Sequence, residues 1–161
     1  MFPAPILFEY RRAGYNRKDD DKMASSDFYT IRGYNRKEHP DISHTMEDYL
    51  EMIYRHARQG KYIRVNQLAA LLNVRPPSAS KMAAKLRESG MVEFEPYGVI
   101  HLTKEGEAAG AYLLRRHEVL HRLFCHINQS DNELDLVEKL EHFVDERTVA
   151  NIEQLLHEWY P

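Results

Sequence analysis

The chain has 161 residues, 43% hydrophobic and 29% charged, the balance of a soluble globular protein long enough to bury a core. No apolar run approaches the roughly 20 residues that span a bilayer, and the opening MFPAPILFEY lacks the basic start and small-residue cleavage site of a secretory signal. A single cysteine, Cys125, excludes an internal disulfide and a thiolate-rich metal site, so a cytoplasmic protein is expected. The net charge of −3 hides a division. From Arg55 to Gly106 nine Lys/Arg stand against four Glu, whereas from Asn128 to Pro161 two stand against nine Asp/Glu. A basic middle and an acidic end predict different partners.

Residues 1–42 carry GYNRK twice, a DDDK run and few spaced apolar residues, and are read as a flexible arm, with Met23 an alternative start. From Thr45 the character changes. Met46, Tyr49, Leu50, Ile53 and Tyr54 form a helical stripe, Thr45 and Asp48 have capping-box spacing, and Gly60 ends the helix. RVNQLAALLNV predicts a short helix with Val65, Leu68, Ala69 and Leu72 inward. RPPSASKMAAKLRESG predicts a second, opened by proline in its first turn and closed by Gly90. Two helices around a tight turn, followed by MVEFEPYGVIHL as two strands turning at Pro96-Tyr97-Gly98, predict a winged helix-turn-helix over residues 43–106.

The first half of such a recognition helix reads base edges in the major groove. Here it carries Arg75, Pro77, Ser78 and Ser80, with Lys81 and Lys85 further on and Tyr97 at the wing tip. Arginine can bridge two acceptors on guanine, serine reaches bases or phosphates, and lysine neutralises phosphate. These seven residues are the expected contacts to double-stranded DNA.

Residues 107–161 predict a helical layer. A long helix starts at Thr103, and Gly106 and Gly110 in it permit close helix packing; two more helices are expected around 132–145 and 147–159. Their apolar faces, including Leu136, Val137, Leu140, Phe143 and Val144, exceed what a winged helix needs to cover, so a homodimer is expected. Glu138, Glu141 and His142 share an adjacent face. On spacing alone they read either as solvated surface or as part of a metal site. Asp48 and Glu51 on the first helix and His117 on the long one would complete a set of four carboxylates and two imidazoles, suited to a hard or borderline divalent cation. His56, His121 and His126 are assigned to surface or packing.

TMEDYLEMIY, RHEVLHRLF and VEKLEHFVDERTVANIEQLL resemble the manganese-responsive transport regulator branch of the diphtheria toxin repressor family, over residues 43 to 158. The resemblance implies a mainly α fold: a winged helix-turn-helix, then a helical metal-binding and dimerisation domain, with no SH3-like third domain. It implies six ligands, Asp48, Glu51, His117, Glu138, Glu141 and His142, holding two Mn²⁺ per subunit, with Fe²⁺, Zn²⁺, Cd²⁺ or Co²⁺ able to bind in vitro. The iron-sensing branch has methionine and cysteine where Asp48 and Glu138 stand; carboxylates there leave Mn²⁺ competitive. Pro77 departs from the usual polar residue and puts the operator sequence in doubt. The implied function is a non-enzymatic repressor of manganese uptake genes that binds a palindromic operator. In the expected mechanism the carboxylates repel one another without metal, letting the DNA-binding domains sway. Two other readings compete: a metal-independent winged-helix regulator sensing a small organic ligand, and a dinuclear hydrolase, for which no nucleophile motif or phosphate loop is visible.

Overall fold

The computed structural model describes residues 42–95 and 98–159. Apart from Ile42, which packs against the core, the expected arm lies outside those residues, as does Tyr97. Helix α1 (His44–Arg58) buries Met46, Tyr49, Leu50 and Ile53, the stripe its sequence predicts. Its start differs from the expected capping box at Thr45. Ser43 takes the cap position in an extended conformation, and its carbonyl accepts from the Met46 and Glu47 N–H groups at 2.7 and 3.0 Å without a side-chain cap.

The helix-turn-helix is α2 (Val65–Leu71) and α3 (Pro76–Glu88). Asn73 in the turn takes a left-handed φ of +52°, a conformation its short amide side chain tolerates. Pro76 and Pro77 open α3, where their missing N–H groups leave no intrahelical bond unmade. Past the end of α3, Gly90 adopts φ +76°, and Met91 N–H returns to the Leu86 carbonyl at 2.9 Å, closing the helix. The wing is β2 (Val92–Glu93) with β3 (Val99–Leu102), antiparallel, Val92 opposite Leu102. A third strand escaped the sequence reading. β1 (Ile63–Arg64) pairs with β3, Ile63 opposite Ile100, so the sheet order is β1-β3-β2 and α2 starts one residue after Arg64. Two residues are too short for a periodic signal to register.

Helix α4 (Lys104–Asn128) is capped by Thr103, whose Oγ1 accepts from Gly106 N–H at 3.0 Å and donates to the Gly90 carbonyl at 2.7 Å. It crosses α1 so closely that a Cβ on Gly110 would lie 2.6 Å from the Tyr54 Cβ, and one on Gly106 only 1.8 Å from the Met91 carbonyl oxygen. Gly106→Ala must therefore move backbone. The expected loss is about 1–3 kcal/mol in chemical denaturation, and a variant as stable as the parent would contradict this packing.

α4 also serves two cores. Leu113 belongs to the cluster built by α1, α2, α3 and the sheet, whereas Val119 packs with Val149 and Leu156 of α6 (Glu146–Trp159). Between α4 and α6 lies α5 (Leu134–Leu140), followed by a 3-10 turn, Glu141–Phe143. The expected helix around 132–145 is thus shorter than its hydrophobic spacing suggested. Val137 is buried, but Leu140 at the end of α5 and Phe143 in the 3-10 turn are 40% and 51% exposed.

Candidate metal centre and DNA-binding helix

The transition from one core to the other on α4 falls at residues 113–119, and there the inward stripe carries charge: Arg116 and His117 are both buried. His117 Nδ1 lies 2.9 Å from Glu141 Oε2, 3.9 Å from Glu51 Oε1 and 3.8 Å from Glu138 Oε1. His142 Nε2 lies 3.0 Å from Asp48 Oδ1 and 4.0 Å from Glu141 Oε1. All six expected ligands therefore gather around one place. They come from α1, α4, α5 and the 3-10 turn, segments far apart in the chain. Glu138 sits at the open rim, whereas Glu141 is 2% exposed at the centre.

Two triads, Asp48–Glu141–His142 and Glu51–His117–Glu141, have donor atoms all within 4.8 Å of one another, and Glu141 belongs to both. A hard divalent cation with ligands at about 2.1–2.5 Å spans about 4.2–5 Å between opposite donors, so the spacing suits such an ion. The donor set is carboxylate and imidazole without sulfur; Cys125 lies instead beside His121, Sγ 3.6 Å from Nε2. His56 contacts the Met52 carbonyl at 3.2 Å, His121 Nε2 faces the Glu133 N–H at 3.4 Å, and His126 stacks on Trp159. None of the three joins a triad.

Three participants were missed in the sequence. Glu47 Oε2 meets His142 Nδ1 and Arg116 Nη2, each at 2.7 Å, and Arg55 grips Glu51 Oε1 through Nε at 2.8 Å and Nη2 at 2.5 Å. Arg116 had a legible signal, since it stands on the stripe Leu113–Arg116–Leu120 where a charged residue needs a buried partner. The expected mutual repulsion is present beside the larger effect of burial, Glu141 acting on Glu51 and on Glu138, but these contacts set counter-charges against it. Glu47 faces Arg116 and His142, Glu51 faces Arg55, Asp48 faces His142, and Glu141 faces His117.

The electrostatics follow. Burial opposes charge on His142, but its hydrogen bonds to Asp48 and Glu47 win and push its pKa up from 6.5 to about 9. A ring that donates from both nitrogens is the imidazolium. Burial likewise opposes ionisation of Glu47, yet the bonds from His142 and Arg116 hold its carboxyl below the usual range. Burial raises Glu51 and Glu138, only partly offset by Arg55 and His117 respectively. His117 is raised, burial being outweighed by the bond to Glu141 and the Glu51 charge. The folded His142 pKa exceeds its ordinary value, so its stabilisation is present in full below about pH 6.5 and lost as pH rises through 9. In chelator, the melting temperature should fall across that window, and His142→Gln should flatten the fall.

On α3, Ala79, Ala83 and Leu86 face the core, while Arg75, Pro77, Ser78, Ser80, Lys81 and Lys85 are all exposed. Among the described residues Arg75, Lys81 and Lys85 form no ion pair, so three cations and two hydroxyls stand free along α3 and its N-cap.

Residues 41–100 match the family described as iron dependent repressor, N-terminal DNA binding domain. The HTH-type transcriptional regulator MntR of Oceanobacillus iheyensis is 34% identical over 114 residues, 70% of this chain and 78% of that protein. The chain belongs to the MntR branch of the iron-dependent repressors. Among solved structures, the manganese regulator SloR superposes with a TM-score of 0.62 at 30% identity, covering 72% of this chain and 54% of SloR. A manganese-dependent transcriptional repressor in complex with manganese gives 0.60 at 30% identity, covering 70% of this chain and 52% of that one. The chain thus spans about half the length of those two structures and most of its MntR relative. Within this family frame, the mainly α architecture with a winged helix-turn-helix ahead of a helical layer is the one the sequence predicts.

Proposed function

We propose that this chain is a manganese-dependent DNA-binding repressor of manganese uptake genes. In this reading Asp48, Glu51, His117, Glu138, Glu141 and His142 hold up to two Mn²⁺ and Arg75, Pro77, Ser78, Ser80, Lys81 and Lys85 face the duplex, with Tyr97 assigned to the wing. The convergence of six oxygen and nitrogen donors at the junction of the two cores carries this reading. A divalent cation bound there supplies a cross-link between the DNA-binding unit and the helical layer. Asp48 and Glu51 report to that link from α1, which packs on α2, α3 and the sheet and so positions the recognition helix. His142 must give up its proton before its Nε2 can donate to a cation. Glu141, shared by both triads, makes filling of one depend on the other. The absence of sulfur donors leaves Mn²⁺ able to compete with metals later in the affinity order, and Fe²⁺, Zn²⁺, Cd²⁺ and Co²⁺ can enter in vitro.

A homodimer on a palindromic operator completes the reading, since two recognition helices about one DNA turn apart fill both half-sites. Exposed Ile127, Leu140, Phe143 and Leu155 in the helical layer offer apolar surface for such pairing. Metal acts only through preference for the DNA-competent arrangement, so DNA should tighten Mn²⁺ binding by the same factor as Mn²⁺ tightens DNA binding. A mobility-shift titration with operator DNA, in Mn²⁺ and in chelator, tests this. Tight binding confined to the Mn²⁺ arm is expected; binding indifferent to chelator would favour a regulator that senses an organic ligand.

A further inference from the structure

We propose that Arg55 sets the metal threshold of this protein, its guanidinium holding Glu51 as a built-in competitor for the divalent cation at the Glu51–His117–Glu141 triad. The inference rests on the reading of that triad as a metal site. Both N–H bonds of Arg55 converge on Glu51 Oε1, the same oxygen that stands 3.9 Å from His117 Nδ1. Among the described residues Glu51 is the sole ion-pair partner of Arg55. The other triad differs. Arg116 approaches His142 at 3.2 Å, but its charge is matched by Glu47, which belongs to neither triad. At one triad the nearby arginine is held by a carboxylate that belongs to neither triad, whereas at the other the arginine is held by one of the triad's own carboxylates.

The guanidinium of Arg55 does not deprotonate in proteins and can yield only by swinging away. Its 36% exposed side chain, on the last turn of α1 beside solvent, has room to do so. Until it moves, its charge opposes a dication a few ångströms away, an interaction that at water-like screening corresponds to about a tenfold change in affinity. The consequence is two unequal steps of ion binding, the weaker one belonging to the triad that contains Glu51.

The test is direct titration of the full chain with Mn²⁺ without DNA, followed by the loss of the free-ion electron paramagnetic resonance signal. Wild type, Arg55→Gln and Arg55→Lys are compared at about 0.1 and 0.5 M salt, after thermal melts show all three folded. Arg55→Gln should tighten the weaker step (or the sole step, if one ion binds) about tenfold at low salt and less at high salt, with any stronger step unmoved. Arg55→Lys, which keeps the charge, should stay near wild type. Identical titrations of Gln variant and wild type, equal shifts in both steps, or a Lys variant that tightens as much as Gln would each overturn the proposal. Mn²⁺ binding to none of the three would instead overturn the metal site itself, and the proposal with it.

Discussion

Glu141→Gln should abolish the Mn²⁺ response of DNA binding and leave the fold in place. The residue belongs to both triads, so one substitution weakens both together, whereas loss of Asp48 or Glu51 touches only one. Glutamine keeps the shape and can still accept from His117 Nδ1, 2.9 Å away, so the buried imidazole retains its partner. What disappears is a negative charge at a site 2% exposed, where no solvent can replace it as a donor. The expected loss of Mn²⁺ affinity is on the order of 100-fold or more, at the upper end of what even outer-shell changes produce in metal sites. Isothermal titration beside a mobility-shift assay measures it. A variant that binds operator in Mn²⁺ like the parent would remove Glu141 from the site.

Arg116→Met should produce the largest fall in stability of the substitutions considered. Arg116 is 4% exposed, donates to Glu47 at 2.7 Å across the α1–α4 contact, and lies over the Tyr112 ring at 5.9 Å. Methionine preserves much of the apolar stem but leaves Glu47 with His142 alone. Breaking one side of a buried pair is strongly destabilising, and about 3 kcal/mol is expected here, the low end of the range, because His142 still partners the carboxylate. In a domain of this size that corresponds to a melting temperature lower by roughly 10 °C in chelator. One local feature moderates the effect: Arg116 Nε has no partner among the described residues, so its removal also relieves a buried unsatisfied donor. The double variant with Glu47→Gln separates the pair from its surroundings. It should be less damaged than the sum of the single changes, and strict additivity would show that the two groups do not interact.

The limits of sequence reading here are local and physical. α1, α3 and α4 bury apolar residues at helical spacing, and that spacing survives folding intact. α5 did not follow its pattern: it stops at Leu140, the chain tightens into the 3-10 turn at Glu141, and Leu140 and Phe143 stay exposed. β1 exists only through its pairing with β3, a contact that local pattern does not encode. At the candidate site the donor-bearing residues were legible from residue chemistry, but their counter-charges were not. Arg55 reads as one more basic residue on a helix until its guanidinium is placed on Glu51, and Glu47 reads as surface until Arg116 and His142 reach it.

Helical and strand patterning by themselves determined the winged helix, the cationic character of α3 and the kinds of donor available to a cation. Folding alone decided that donors from four segments meet where two cores share α4, that Glu141 stands in both triads, and which cation of the protein sits on which acid. The reason is range: apolar spacing acts over a single turn of helix, whereas a charge finds its partner only after segments up to 95 positions apart have been packed together.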